Sequence, residues 1–313
     1  MFRGKQKSCI AKAAALMLAF AAAGSTAAYA GTWNSGTFGD GTWSYADTNE
    51  VQQTGWKWLD GNKDGVYECY YFDADGKMLA GTKIGQGAVN ADGGWTVNGT
   101  VQRRSLPSWL QYKKQYDETS TQALNEKIAY PQISLSATDL GKSVNKQILD
   151  YVKTVRENAR PEGDVLGNAA ENDLDYDFLL SKSGKYVGLS FQNYLYTGGA
   201  HGMTDERYYT LTPEKGILKM SDIGGKTLET AVTSYVRNEL KKRSDDGSLV
   251  LFTNPDSLSI DYERQNWMLA DDGIHVLFQQ YEIAPYAAGL IDVTVPYSAV
   301  KGQMNAYGQG LIG

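Results

Sequence analysis

The 313-residue chain is 42% hydrophobic and 21% charged, enough apolar material for one or two packed domains. Its 36 acidic and 30 basic side chains give a net charge of −6, which argues against a nucleic-acid partner, since that needs clustered Lys and Arg to displace counterions. Two cysteines and two histidines supply neither a Cys/His metal site nor a disulfide framework, and no cofactor is expected.

Residues 1–30 read as a secretory signal. Arg3, Lys5, Lys7 and Lys12 precede the apolar run Ala13 to Ala23, and Ala28-Tyr29-Ala30 fits a small-residue cleavage pattern before Gly31. Losing the four basic residues of this segment takes the net charge from −6 to −10. Cys9 lies ahead of the apolar run, where it does not suit lipid attachment. Beyond the leader no stretch reaches the roughly 18 apolar residues of a membrane helix. A secreted protein without a membrane span is therefore expected, its remaining Cys69 having no partner for an intramolecular disulfide.

Residues 31–102 are rich in Gly, Trp and Tyr. Trp33, Trp43, Trp56, Trp58 and Trp95 all fall here, whereas all seven prolines lie from Pro107 onward. Asp60-Gly61, Asp64-Gly65, Asp75-Gly76 and Asp92-Gly93 divide the segment into short aromatic strands, a pattern of β-hairpins that must stack as a solenoid to bury their faces. Asp60, Asn62, Asp64, Gly65 and Glu68 fall at calcium-loop spacing, but Tyr71 stands where the bidentate Glu belongs, so an acidic turn is the better reading.

Gly55-Trp56-Lys57-Trp58, followed by Tyr70-Tyr71-Phe72-Asp73-Ala74-Asp75-Gly76, resembles the choline-binding and cell-wall-binding repeats of Gram-positive surface proteins. The resemblance covers roughly residues 41–102. It implies an aromatic cage for choline on teichoic acid, built here from Trp56, Trp58, Tyr71 and Trp95, or more generally attachment to a wall polymer such as peptidoglycan.

Residues 103–123 are polar and mixed in charge, and read as a linker. From 124 to 313 the pattern is α+β. Tyr130 to Leu135 alternates as a strand, and Leu140, Val144, Ile148, Tyr151, Val152 and Val155 fall at helical spacing in a helix of about 18 residues ending before Pro161. Tyr176 to Leu180, Tyr186 to Thr197 and Arg207 to Leu211 read as antiparallel strands. A second helix carries Leu228, Val232, Val236 and Leu240, and Ile274 to Phe278 and Ile291 to Val295 are late strands. The whole predicts a short aromatic hairpin solenoid followed by an antiparallel sheet with two main helices to one side.

Gly198-Gly199-Ala200-His201-Gly202 and Glu282-Ile283-Ala284-Pro285-Tyr286 closely resemble loops of the extracellular domain of lysozyme-sensing anti-sigma factors, found also in the non-catalytic part of some secreted peptidoglycan deacetylases. The resemblance implies a protein- or glycan-binding surface, lysozyme being the most concrete partner. Tyr194, Tyr196, His201, Pro285 and Tyr286 are its candidate residues, since Tyr offers large contact area with a polar tip. The alternative is a peptidoglycan-acting hydrolase or deacetylase with His201 as general base, although no Gly-x-Ser-x-Gly elbow accompanies it. His275, inside an alternating strand, reads as a surface or packed residue.

Overall fold

The computed structural model describes residues 32–35, 39, 41–46, 52–61, 64–85, 87–159, 169–264 and 266–313. Residues 1–30, expected as an export leader, and Asn62 and Pro161 lie outside the described residues. The front segment forms three small antiparallel sheets. β1 (Thr32–Asn34) pairs with β2 (Ser44–Ala46). β3 (Gly55–Leu59) and β4 (Val66–Phe72) form a hairpin. β5 (Lys83–Ile84), β6 (Gly87–Val89), β7 (Trp95–Val97) and β8 (Thr100–Val101) form a meander, and β9 (Arg103–Ser105) returns to pair with β4. These are separate sheets rather than one continuous stack of hairpins, because β9 closes the first hairpin with a third strand instead of extending the series.

Two of the turns share one construction. Asp73 Oδ1 accepts the backbone N–H of Asp75 and Lys77, and Asn90 Oδ1 accepts those of Asp92 and Gly94. Between them Gly76 and Gly93 adopt φ of 78° and 85°, a region disfavoured for residues with a Cβ.

The rest of the chain is layered. β10 (Leu110–Ser120), β11 (Leu124–Leu135), β12 (Ala170–Leu180), β13 (Val187–Tyr196), β14 (Met203–Thr212) and β15 (Gly216–Ile217) lie side by side in that order. All neighbours are antiparallel except β11 and β12, which are parallel and joined through α1 (Thr138–Asn158). Val144, Ile148, Tyr151, Val152 and Val155 form the buried stripe of α1 and pack with Phe178, Leu189, Phe191 and Tyr209 of the sheet. Asn145 fixes the start of this helix on β11, accepting from Ile133 N and donating to Ile133 O at 2.7 and 2.8 Å.

After α2 (Met220–Ile223) and α3 (Gly225–Asp245) come β16 (Trp267–Leu269), β17 (Ile274–Phe278) and β18 (Ile291–Val295), a second antiparallel sheet, then α4 (Tyr297–Val300) and α5 (Ala306–Ile312). Leu228, Val232, Val236 and Leu240 of α3 share a core with Ile274, Val276 and Phe278. The other face of this sheet meets the large one: Tyr208, Met268 and Leu277 cluster between them. A Cβ at Gly188 would stand 3.3 Å from the Met268 sulfur, so glycine permits this close approach. The order of layers is thus α1, large sheet, small sheet, α3, and the helices cover opposite outer faces instead of sharing one side.

Residues 103–123, expected as a linker, are largely strand. β10 is an edge strand, exposed over most of its length, with Lys113, Lys114, Asp117 and Glu118 discouraging further strand addition. Tyr67 of β4 donates to Asp177 of β12 at 3.2 Å and the Trp109 indole donates to Gly184 O at 2.9 Å, so the front sheets are fastened to the large sheet.

His275 is fully buried between the two sheets. Its Nδ1 lies 3.0 Å from Asp292 and its Nε2 2.9 Å from Asp272. Burial alone would lower its pKa, but Asp292 and the hydrogen bonds to both carboxylates outweigh it, raising the value from the usual 6.5 to about 10. A raised folded pKa means that the stabilisation is complete below pH 6.5 and is lost progressively as pH rises to about 10. We therefore expect His275→Gln to cost about 3 kcal/mol or more in urea denaturation at pH 6.5. The difference from wild type should shrink toward pH 10, whereas a difference that does not change with pH would contradict a buried imidazolium.

Candidate functional site

Strand alternation gives the β3–β4 hairpin two different faces. On one, Trp56 stands opposite Tyr71 and Trp58 opposite Cys69. On the other, Lys57 stands opposite Tyr70 and Leu59 opposite Glu68. β7 brings Trp95 over the first face, its ring centroid 5.9 Å from that of Trp56 and 6.0 Å from that of Trp58. A Cβ at Gly87 would lie 3.1 Å from the Trp56 ring and 3.4 Å from the Trp95 indole nitrogen, so backbone without a side chain makes room for both rings.

Three of the four expected cage residues therefore line one cleft, of about 710 Å³, together with Gly87, Asn98 and Arg104. Tyr71 instead stands edge-on to Trp56, centroids 5.2 Å apart, and supports it from outside that lining. Cys69 lies at the base, where burial lifts its thiol to about 12 against the opposing pull of Arg104.

Arg104 is the residue that the sequence did not bring to notice. β9 places its guanidinium 4.1 Å from the centre of the Trp58 ring, a cation–π contact within the protein. An ammonium about 5 Å from it would meet a repulsion of about 1–3 kcal/mol at effective dielectrics between 80 and 20. That offsets the roughly 0.5–2 kcal/mol that an aromatic contact offers a cation. The cleft is thus poorly suited to choline, although its aromatic residues are those that the resemblance singled out.

The opposite face carries a second cleft, of about 690 Å³, with Trp33, Trp43 and Tyr70 beside Asp64, Glu68 and Asp92. Trp33 and Tyr70 meet edge-on at 5.0 Å, and Trp43 is 45% exposed. Arg103 is held at 2.8 Å by Glu68, which also accepts from the Tyr70 hydroxyl at 2.9 Å. Adjacent arginines on β9 thus serve opposite faces. At the neighbouring turn the Asp60 carboxylate accepts from Asp64 N and Gly65 N at 3.1 and 2.8 Å, the construction of an acidic hairpin turn. Among the described residues no group of three or more His, Cys, Asp or Glu is arranged to hold a metal ion.

The C-terminal candidates form an exposed aromatic patch at one end of the layers. The His201 ring stacks on Tyr286, centroids 3.8 Å apart and planes at 21°. Its Nδ1 is 3.1 Å from Gly202 O, a contact in which Nδ1 carries the proton and the carbonyl accepts. The Tyr194 ring lies over buried Gly202, where a Cβ would approach within 2.5 Å, and Tyr196 donates to Gly199 O at 3.1 Å. Pro285 starts the short 3-10 turn that carries Tyr286. Gln279 and Gln280 tie this segment to β14, accepting from Glu206 N and Thr204 N at 3.0 and 2.8 Å.

Tyr281 belongs to the same patch, 5.7 Å from Tyr286, 6.4 Å from His201 and 48% exposed. Its φ of 63° is unusual for a bulky residue, and no pattern in the sequence announces it.

Comparison with known proteins bears on the C-terminal part alone. Residues 117–204 match the family described as Deacetylase PdaC, and residues 221–298 match DUF3298, a protein family of unknown function. No curated protein matches. Among solved structures, a DUF3298 family member from Bacteroides fragilis is 18% identical with a TM-score of 0.46, over 65% of this chain and 96% of that one. A DUF3298 family protein from Pseudomonas aeruginosa is 17% identical with a TM-score of 0.39, over the same shares of the two chains. The C-terminal part is thus similar to the PdaC and DUF3298 families.

Proposed function

We propose that this is a secreted, cell-wall-associated binding protein. Its aromatic front, residues 31–102, grips an envelope polymer, and residues 124–313 present a second surface to a protein or glycan. The observation that carries this reading is the convergence of Trp56, Trp58 and Trp95 on one open cleft, with Trp56 37% exposed despite its size. Large rings left in solvent beside a cavity suit ligand contact better than core packing. The likeness of the C-terminal part to the PdaC family agrees with the resemblance to non-catalytic domains of secreted peptidoglycan deacetylases.

A choline-bearing teichoic acid is the second reading, favoured by the Trp33–Trp43–Tyr70 cleft, where Glu68 neutralises Arg103 and the carboxylates of Asp64 and Asp92 suit an ammonium as the Arg104 cleft does not. The enzymatic alternative is not favoured. Among the described residues His201 contacts a carbonyl and two phenol rings, partners that position an imidazole without making it the base of a nucleophile.

The protein should be retained on purified walls, and Trp95→Ala should abolish that retention while leaving the fold intact by circular dichroism. Equal retention of the variant would contradict the reading. Elution of wild type by free choline would assign the grip to the acidic cleft.

For the patch, the acidic chain would steer a basic partner toward it, a basic lysozyme being the first to test. Calorimetry at low salt should show binding that weakens at least tenfold in Tyr286→Ala, the loss expected of one buried aromatic anchor. Absence of heat at tens of micromolar would remove lysozyme as partner.

A further inference from the structure

Two neighbouring arginines meet different fates. Arg103 points to the acidic cleft and is held by Glu68. Arg104 points to the other face, where its guanidinium lies over the Trp58 ring, and among the described residues no carboxylate pairs with it. Among the described residues the lining of that cleft contains no Asp or Glu, and Arg104 is its charged side chain. In a chain of net charge −6 this is a local positive site, walled by three indoles and provided with the Thr96 and Asn98 side chains and glycine backbone.

These parts select a chemistry. Indole faces pack against the C–H faces of a sugar ring, and an amide with backbone groups can take its hydroxyls. A guanidinium without an acidic partner is the group that recognises a carboxylate or phosphate, and it disfavours an ammonium. We infer that the Trp56–Trp58–Trp95 cleft takes an anionic saccharide, a sugar ring bearing a carboxylate or phosphate, with the rings stacking on the sugar and Arg104 meeting the charge. This rests on the reading that the cleft grips envelope polymer. Its volume of about 710 Å³ falls in the range of sites for ligands of one or two sugar rings.

The experiment uses the full chain and four soluble probes in calorimetry at low salt. They are a tetrasaccharide of alternating N-acetylglucosamine and N-acetylmuramic acid, a glucosylated glycerol phosphate oligomer, a neutral N-acetylglucosamine tetramer and phosphocholine. At least one of the first two should bind about tenfold more tightly than the neutral tetramer, as expected for one charge-assisted contact. Whichever of them does so distinguishes a carboxylate source from a phosphodiester source.

Arg104→Gln should erase that preference and Arg104→Lys should retain part of it, while Trp95→Ala should remove binding of both charged and neutral sugars. Equal affinity for the neutral and anionic saccharides, or a preference unchanged in Arg104→Gln, would overturn the inference while leaving wall retention by this cleft standing. Failure of every saccharide together with loss of wall retention would overturn both.

Discussion

Residue alternation along the β3–β4 hairpin is the constraint on which the rest depends. A strand sends successive side chains to opposite faces, so Gly-Trp-Lys-Trp-Leu cannot place its two indoles anywhere but together. Once Trp56 and Trp58 share a face, Lys57 and Leu59 are committed to the other. The returning strand β9 obeys the same rule and divides Arg103 from Arg104. One three-stranded sheet thereby acquires an acidic aromatic cleft on one side and a positively charged one on the other.

Such a sheet is too small to be stable alone, since three short strands bury little apolar area. The large sheet behind it supplies the support. Tyr67 is fully buried in the core shared with α1, its hydroxyl on Asp177, and Trp58 and Leu106 pack against the same core. Trp58 therefore has two roles, as wall of the cleft and as part of the joint between the front sheets and the C-terminal layers. At the far end, glutamine side chains stitch the segment bearing Tyr281 and Tyr286 to β14, so the second aromatic surface is also held by a sheet instead of hanging on a free loop.

Much of this was legible from residues alone, and the exceptions have physical causes. α1 and α3 announce themselves because each buries one stripe at helical spacing, β18 because it alternates beneath α3, and β17 because it is a short apolar run buried on both faces. β10 reads as linker because only its first residues, Leu110 and Tyr112, meet the core, and beyond them the strand is mostly exposed and carries no apolar alternation. The parallel pairing of β11 with β12 is set by where α1 returns the chain, which local pattern does not encode. Among the candidate residues, the resemblance names Trp56, Trp58 and Trp95, and the structure brings these three to one cleft. Arg104 was missed because it reaches Trp58 only through the long-range pairing of β9 with β4. Tyr281 was missed because a left-handed backbone at a tyrosine has no sequence signature.

The most direct test of the central claim follows the indole N–H resonances of the full chain as soluble wall glycan fragments are added. The account predicts that Trp56, Trp58 and Trp95 shift together. Trp109, whose N–H is committed to Gly184 O, should stay in place. Saturating fragments that leave all three indoles unmoved would contradict it.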